Sequence, residues 1–178
     1  MISYLVLQLR FLFLGLAERL GPKKEKSPAV PSPRLRYRVH GSTEPHGYIE
    51  VGRLSWGSIE KILANLNRPI DGFENILDFG CGTGRYLEIQ KNYKKVYLVD
   101  ISKHNLLIAS KNADKLKIDH SLIKKSLFGI NMNIDIFFSV GVFGQSYPFD
   151  EKVVKKIYSL LNKNGTGLFT VKLTDQFS

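Results

Sequence analysis

The stretch Leu77-Asp78-Phe79-Gly80-Cys81-Gly82-Thr83-Gly84-Arg85 organises this sequence. A short apolar run from Asn75 to Phe79 predicts a strand. Three glycines follow at alternate positions, and a helical run continues through Ile89. Glycine after a strand lets the backbone turn tightly and leaves room for a ligand to approach main-chain N–H groups. A dinucleotide fingerprint reads G-x-G-x-x-G. Here the third glycine comes one residue early, as G-x-G-x-G, which disfavours an NAD-dependent enzyme. Asp100 ends the next apolar run, 22 residues after Asp78. A carboxylate in that position can accept both hydrogen bonds of a ribose diol.

Outward from this loop, helical and extended patterns alternate. Tyr48 to Asn67 carries apolar residues at helical spacing and stops before Pro69. Lys95 to Asp100 predicts a second strand, and Ser102 caps a helix running to Asp114. A weaker strand falls within Ser121 to Lys125, and Ile134 to Val140 is strongly strand-like. Glu151 to Leu161 is an amphipathic helix, and Asn164-Gly165 turns the chain into a last apolar strand, Gly167 to Val171. Strands separated by helices of this length predict βαβ units. The expected class is therefore α/β: a doubly wound, mostly parallel sheet with helices on both faces.

Composition narrows the chemistry. The 178 residues are 43% hydrophobic and 24% charged, enough for one domain with a real core. Cys81 is the single cysteine, so neither a disulfide framework nor a multi-cysteine zinc site can form. The four histidines form no H-E-x-x-H pattern, and no metal is expected. The formal charge of +10 is spread along the chain, its densest cluster being Lys23, Lys24 and Lys26. That dispersal argues for a solvated basic surface and against a nucleic-acid partner.

Residues 1–20 are strongly apolar, but Arg10, Glu18 and Arg19 interrupt them. No uninterrupted run of about 18 apolar residues exists, and a basic leader with a cleavage site is missing. On a helical wheel Leu5, Leu9, Leu12, Leu16 and the phenylalanines are assigned to one half, opposite Gln8, Arg10 and Glu18. The expectation is an amphipathic helix whose apolar stripe packs on a domain or a second subunit; peripheral membrane contact is the alternative. Residues 21–36 hold four of the seven prolines and read as a linker, leaving 37–178 as the globular domain.

The motifs together resemble a known family. Asp78 to Gly84 is similar to the first motif of class I S-adenosylmethionine-dependent methyltransferases, acid-x-G-x-G-x-G. Val96 to Ser102 resembles the following motif, Asp135 to Phe143 the fourth-strand motif, and Leu160 to Val171 the turn into the fifth strand. The resemblance spans residues 48–174. It implies a Rossmann-like methyltransferase fold lacking the last two of seven strands. The expected localisation is cytoplasmic, with membrane association through residues 1–20 as the alternative. An edge left open beside the fifth strand is an association hazard, so a homo-oligomer is expected as well.

By that resemblance, S-adenosylmethionine is the cofactor. Asp78 would orient the loop and meet the amino group of the methionine moiety. The Phe79, Gly80, Cys81 and Gly82 backbone would pass close to it. Asp100 would bind the ribose hydroxyls, Ile101 would flank the adenine, and Ser139 and Val140 would line the floor. No residue is assigned to the adenine amine, where the sequence reads Lys124-Lys125-Ser126. No catalytic base is assigned; His40 and His46 are candidates, and Tyr48 reads as a packing aromatic. Ser139-Val140-Gly141-Val142 stands where methylases of exocyclic base amines carry an Asn-Pro-Pro-Tyr-like segment. An oxygen or nitrogen of a small molecule or sugar is the expected acceptor. The alternative is a noncatalytic S-adenosylmethionine-binding module acting through a partner chain.

Overall fold

The computed structural model describes residues 2–20, 30–67, 72–144 and 147–172. Three helices come first: α1 (Ile2–Leu20), α2 (Pro33–His40) and α3 (Pro45–Asn65). Strand and helix then alternate as β1 (Asn75–Phe79), α4 (Leu87–Gln90), β2 (Lys95–Val99), α5 (Lys103–Lys115) and β3 (His120–Ile123). After a 3-10 turn at Leu127–Gly129 come β4 (Ile134–Phe143), α6 (Glu151–Leu160) and β5 (Leu161–Val171). The five strands form one parallel sheet in the order β3-β2-β1-β4-β5. The chain winds outward from β1 to β3 and then returns to β4. The order therefore reverses between β1 and β4, the point where open α/β sheets leave a crevice at their carboxyl ends.

Side-chain alternation along β1 feeds two cores, one on each face. Ile76 joins Val96, Leu98, Ile136 and Phe138 beneath Trp56 of α3 and Leu106, Ala109 and Ala113 of α5. Leu77 and Phe79 join Val99, Phe137 and Phe143 on the other face, against Val153, Ile157 and Leu160 of α6. Helices thus cover both faces, as the strand and helix alternation requires. The Ser102 hydroxyl accepts the Asn105 N–H at 3.3 Å and caps α5, as expected.

Three local features depart from the sequence expectation. The linker expected over 21–36 ends early, because Pro33 opens α2. Proline at a first helical position loses no hydrogen bond and already has helical φ, so this proline starts a helix where it reads as a breaker. Residues 21–29 lie outside the described residues. Second, Phe11 does not share a face with the leucines. It stands 200° around the helix from Leu9, by 100° per residue. Its ring is buried on Tyr37 of α2, with centroids 5.5 Å apart. The leucine stripe, expected to pack on a domain or a second subunit, does not pack on this domain: Leu9, Leu12 and Leu16 are exposed in the single chain. Third, β5 begins at Leu161. Its pairing with β4 jumps from Ile134↔Leu161 to Ile136↔Thr166, so Asn164, at φ +72°, sits in a bulge within the strand.

Asp135 ties the starts of three strands together. Its Oδ2 accepts the N–H groups of Glu74 at 3.0 Å and Asn75 at 2.9 Å, and its Oδ1 accepts Asn162 Nδ2 at 2.7 Å. Partial burial pushes its pKa up, but the bonds from Asn162 and the two backbone amides win and hold it below 3.8. A depressed carboxyl pKa stabilises the fold above the unfolded value and loses that contribution as pH falls through the folded one. Asp135→Ala should cost about 1–2 kcal/mol at pH 7, discounted for its exposure to solvent. In urea denaturation the gap from wild type should close below pH 3.8. A gap independent of pH would contradict this role.

Candidate cofactor-binding site

The glycine loop leaves the carboxyl end of β1 at the switch point and is held there by backbone. The Gly80 and Cys81 N–H groups both donate to the Val99 carbonyl, at 2.8 and 3.0 Å. Gly80, Gly82 and Gly84 have φ of +79°, +56° and +83°, a region that only glycine enters freely. At Gly80 the demand is also spatial, since a Cβ would stand 2.2 Å from Val142 Cγ2 of β4. Gly82 is the opposite case, with nothing within 4 Å of where its Cβ would be. Space above this backbone is open.

Asp100 closes the loop from the end of β2. Its Oδ2 accepts the Gly82 N–H at 3.0 Å and its Oδ1 accepts the Ser102 N–H at 2.7 Å. Each oxygen keeps a second lone pair, so the carboxylate can hold the loop and still accept from a diol. Ile101, beside it, is 76% exposed. An apolar side chain left in water at the mouth of a crevice suits the flat face of a base.

Asp78 points into the opposite environment. It is 2% exposed on the α4 side of β1, where Gln90 Nε2 donates to its Oδ2 at 2.9 Å. Burial pushes its pKa up to about 7; the Gln90 hydrogen bond opposes the rise and the Asp100 charge adds to it. The fully buried Gln90 Oε1 has no hydrogen-bond partner among the described residues. A carboxyl that ionises near pH 7 and a bare amide acceptor, buried side by side, favour a cationic ligand group. Gln90 was missed from sequence because a lone glutamine on a short helix carries no periodic signal.

The other expected site residues divide clearly. Phe79 contributes backbone only, its ring stacking in the α6-side core 5.9 Å from Phe143. The Cys81 thiol is buried, and burial with the Asp78 and Asp100 charges drives its pKa well up, leaving a neutral thiol and no nucleophile. Ser139 is fully buried and donates to the Phe79 carbonyl at 2.9 Å, fixing the β1–β4 spacing; Val140 is half-buried on the α3/α5-side core. Tyr48 packs, with its hydroxyl 3.1 Å from Thr83 Oγ1 and the Arg85 guanidinium 4.1 Å above its ring. His46 is exposed in the first turn of α3, and the His40 side chain lies outside the described residues. Among the described residues no group of three His, Cys, Asp or Glu could hold a metal.

A methyltransferase domain family matches residues 70–173, more than half of the sequence and the whole sheet. The chain belongs to that family. Solved structures agree on the fold of this methyltransferase domain. Magnesium protoporphyrin IX methyltransferase from Synechocystis PCC 6803, solved with bound SAH, is 21% identical, with TM-score 0.54 over 72% of this chain and 63% of that one. TehB from Haemophilus influenzae is 20% identical, with TM-score 0.52 over 64% of this chain and 39% of its own. The domain therefore spans less than two thirds of either protein. A search of curated proteins finds no match.

Proposed function

We infer that the domain binds S-adenosylmethionine across the β1/β4 switch point and transfers its methyl group to an oxygen or nitrogen of a small molecule or sugar. The observation that supports the reading is the open backbone at Gly82, whose N–H donates to Asp100, a carboxylate that can still accept from a diol. The sequence offers the family's acid-x-G-x-G-x-G motif there, and the Synechocystis neighbour carries SAH on the same fold. Asp78 and Gln90 would hold the ammonium group, Asp100 the ribose, and Ile101 one face of the adenine.

The cofactor supplies an electrophilic methyl on a sulfonium. The protein's task is then positioning, because an in-line displacement needs an acceptor lone pair aligned with that methyl and little else. A neutral Cys81 thiol beside the loop does not compete for it. Asp100→Ala tests the assignment. Losing charge-assisted hydrogen bonds should weaken S-adenosylmethionine binding about tenfold or more, in a protein with unchanged circular dichroism. Unchanged affinity in that folded variant would remove Asp100 from the site.

A further inference from the structure

The structure leaves α1 with two apolar faces, and the chain itself covers one of them. Phe11 is buried on Tyr37, and Glu18, the one acid of the helix, pairs with the buried Arg36 of α2. That guanidinium is locked further by the carbonyls of Thr43 at 2.6 Å and Pro31 at 2.5 Å, so the seat of α1 is well defined. Val6, Leu9, Leu12, Phe13, Leu16 and Leu20 lie around the opposite side, each between 54% and 84% exposed. Monomeric proteins rarely leave contiguous apolar patches above about 300–600 Å² in water.

We propose that α1 lies in the surface of an anionic lipid bilayer, with the Leu9–Leu12–Phe13–Leu16 stripe in the acyl boundary. Charge decides between this occupant and a second copy of the chain. Glu18 is turned away and paired with Arg36, so no acid borders the stripe within the helix, while Arg10 stands exposed at its edge, lining a hollow shared with Glu44. Lys23, Lys24 and Lys26 follow the helix in sequence, and the whole chain carries +10. Two such copies repel one another, whereas anionic headgroups attract each of these groups. No helix among the described residues is long and apolar enough to cross a membrane, and a helix with this pattern lies in the interface plane.

Flotation of the full chain with vesicles tests the proposal. Wild type should float with phosphatidylglycerol–phosphatidylcholine vesicles about tenfold more strongly than with pure phosphatidylcholine, and the difference should shrink at high salt. Leu12→Glu with Leu16→Glu, both at exposed positions, should reduce anionic-vesicle binding at least about tenfold. Its thermal midpoint should stay unchanged, and the milder Leu12→Ser, Leu16→Ser pair should fall between. Absence of wild-type binding to anionic vesicles would overturn the proposal, as would variants that bind like wild type. A wild-type dimer that ignores vesicles and dissociates in the glutamate variant would assign the stripe to a second copy instead.

Discussion

Replacing Phe138 with alanine should lower the unfolding free energy by about 3–5 kcal/mol, the largest single-residue effect expected in this domain. Phe138 is fully buried in central strand β4, tilted on Trp56 at 5.3 Å and edge-on to Tyr86 at 4.9 Å. Those rings come from α3 and from the segment after the glycine loop, so one side chain joins the first helical layer, the loop and the sheet. Removing it leaves a cavity that neighbouring strands cannot close, because β1 and β5 are hydrogen-bonded on either side. A domain is stable by only about 5–15 kcal/mol, so much of its margin disappears. In urea the midpoint should drop with an unchanged m-value. A loss below about 1 kcal/mol would mean that the α3 layer does not pack as described.

Asp78→Asn should do two opposite things at once. The buried carboxyl has its pKa raised to about 7 from 3.8, so the folded state holds a proton that the unfolded state has released. The sign follows directly. Stability is greatest below the unfolded pKa, declines as pH rises toward the folded one, and is flat above it. Asparagine does not titrate, so the variant's advantage should grow with pH and reach on the order of 3–4 kcal/mol at pH 8. It should also bind S-adenosylmethionine at least about tenfold more weakly, since the charge proposed to meet the ammonium group is gone. Wild-type affinity should itself rise with pH through about 7, because the cation favours the ionised acid. Matched urea and binding titrations at pH 5.5 and 8 separate the two effects. A variant that is less stable than wild type at pH 8 would refute the buried-acid account.

Much of this architecture was legible in the sequence because the strands are buried on both faces. Ile76, Leu77, Val96, Leu98, Ile134 and Phe137 stand in near-continuous apolar runs separated by helices, the pattern of a covered parallel sheet. The site's backbone was legible too, since three alternate glycines are an expensive way to build anything but a tight, left-handed loop. What stayed hidden depends on long-range contact. Gln90 acquires its role only when the chain returns it beneath Asp78. Arg36 becomes a buried hub only because Glu18, Pro31 and Thr43 converge on it. Phe11 reads with the leucines as one more apolar residue, but its angle around α1 puts it beside Glu18, and Tyr37 supplies the surface that buries it. Ser139 offered no sign that its hydroxyl is committed to the Phe79 carbonyl.

The central claim is that the Gly80–Gly84 loop and Asp100 cradle an S-adenosyl group. Calorimetric titration of the full chain with S-adenosylhomocysteine, and separately with NAD, tests it most directly. The account predicts saturable binding of S-adenosylhomocysteine at one site per chain, at least about tenfold tighter than NAD, a difference of about 1.4 kcal/mol or more. NAD binding as tightly, or a folded chain that shows no heat with S-adenosylhomocysteine at millimolar concentration, would contradict it.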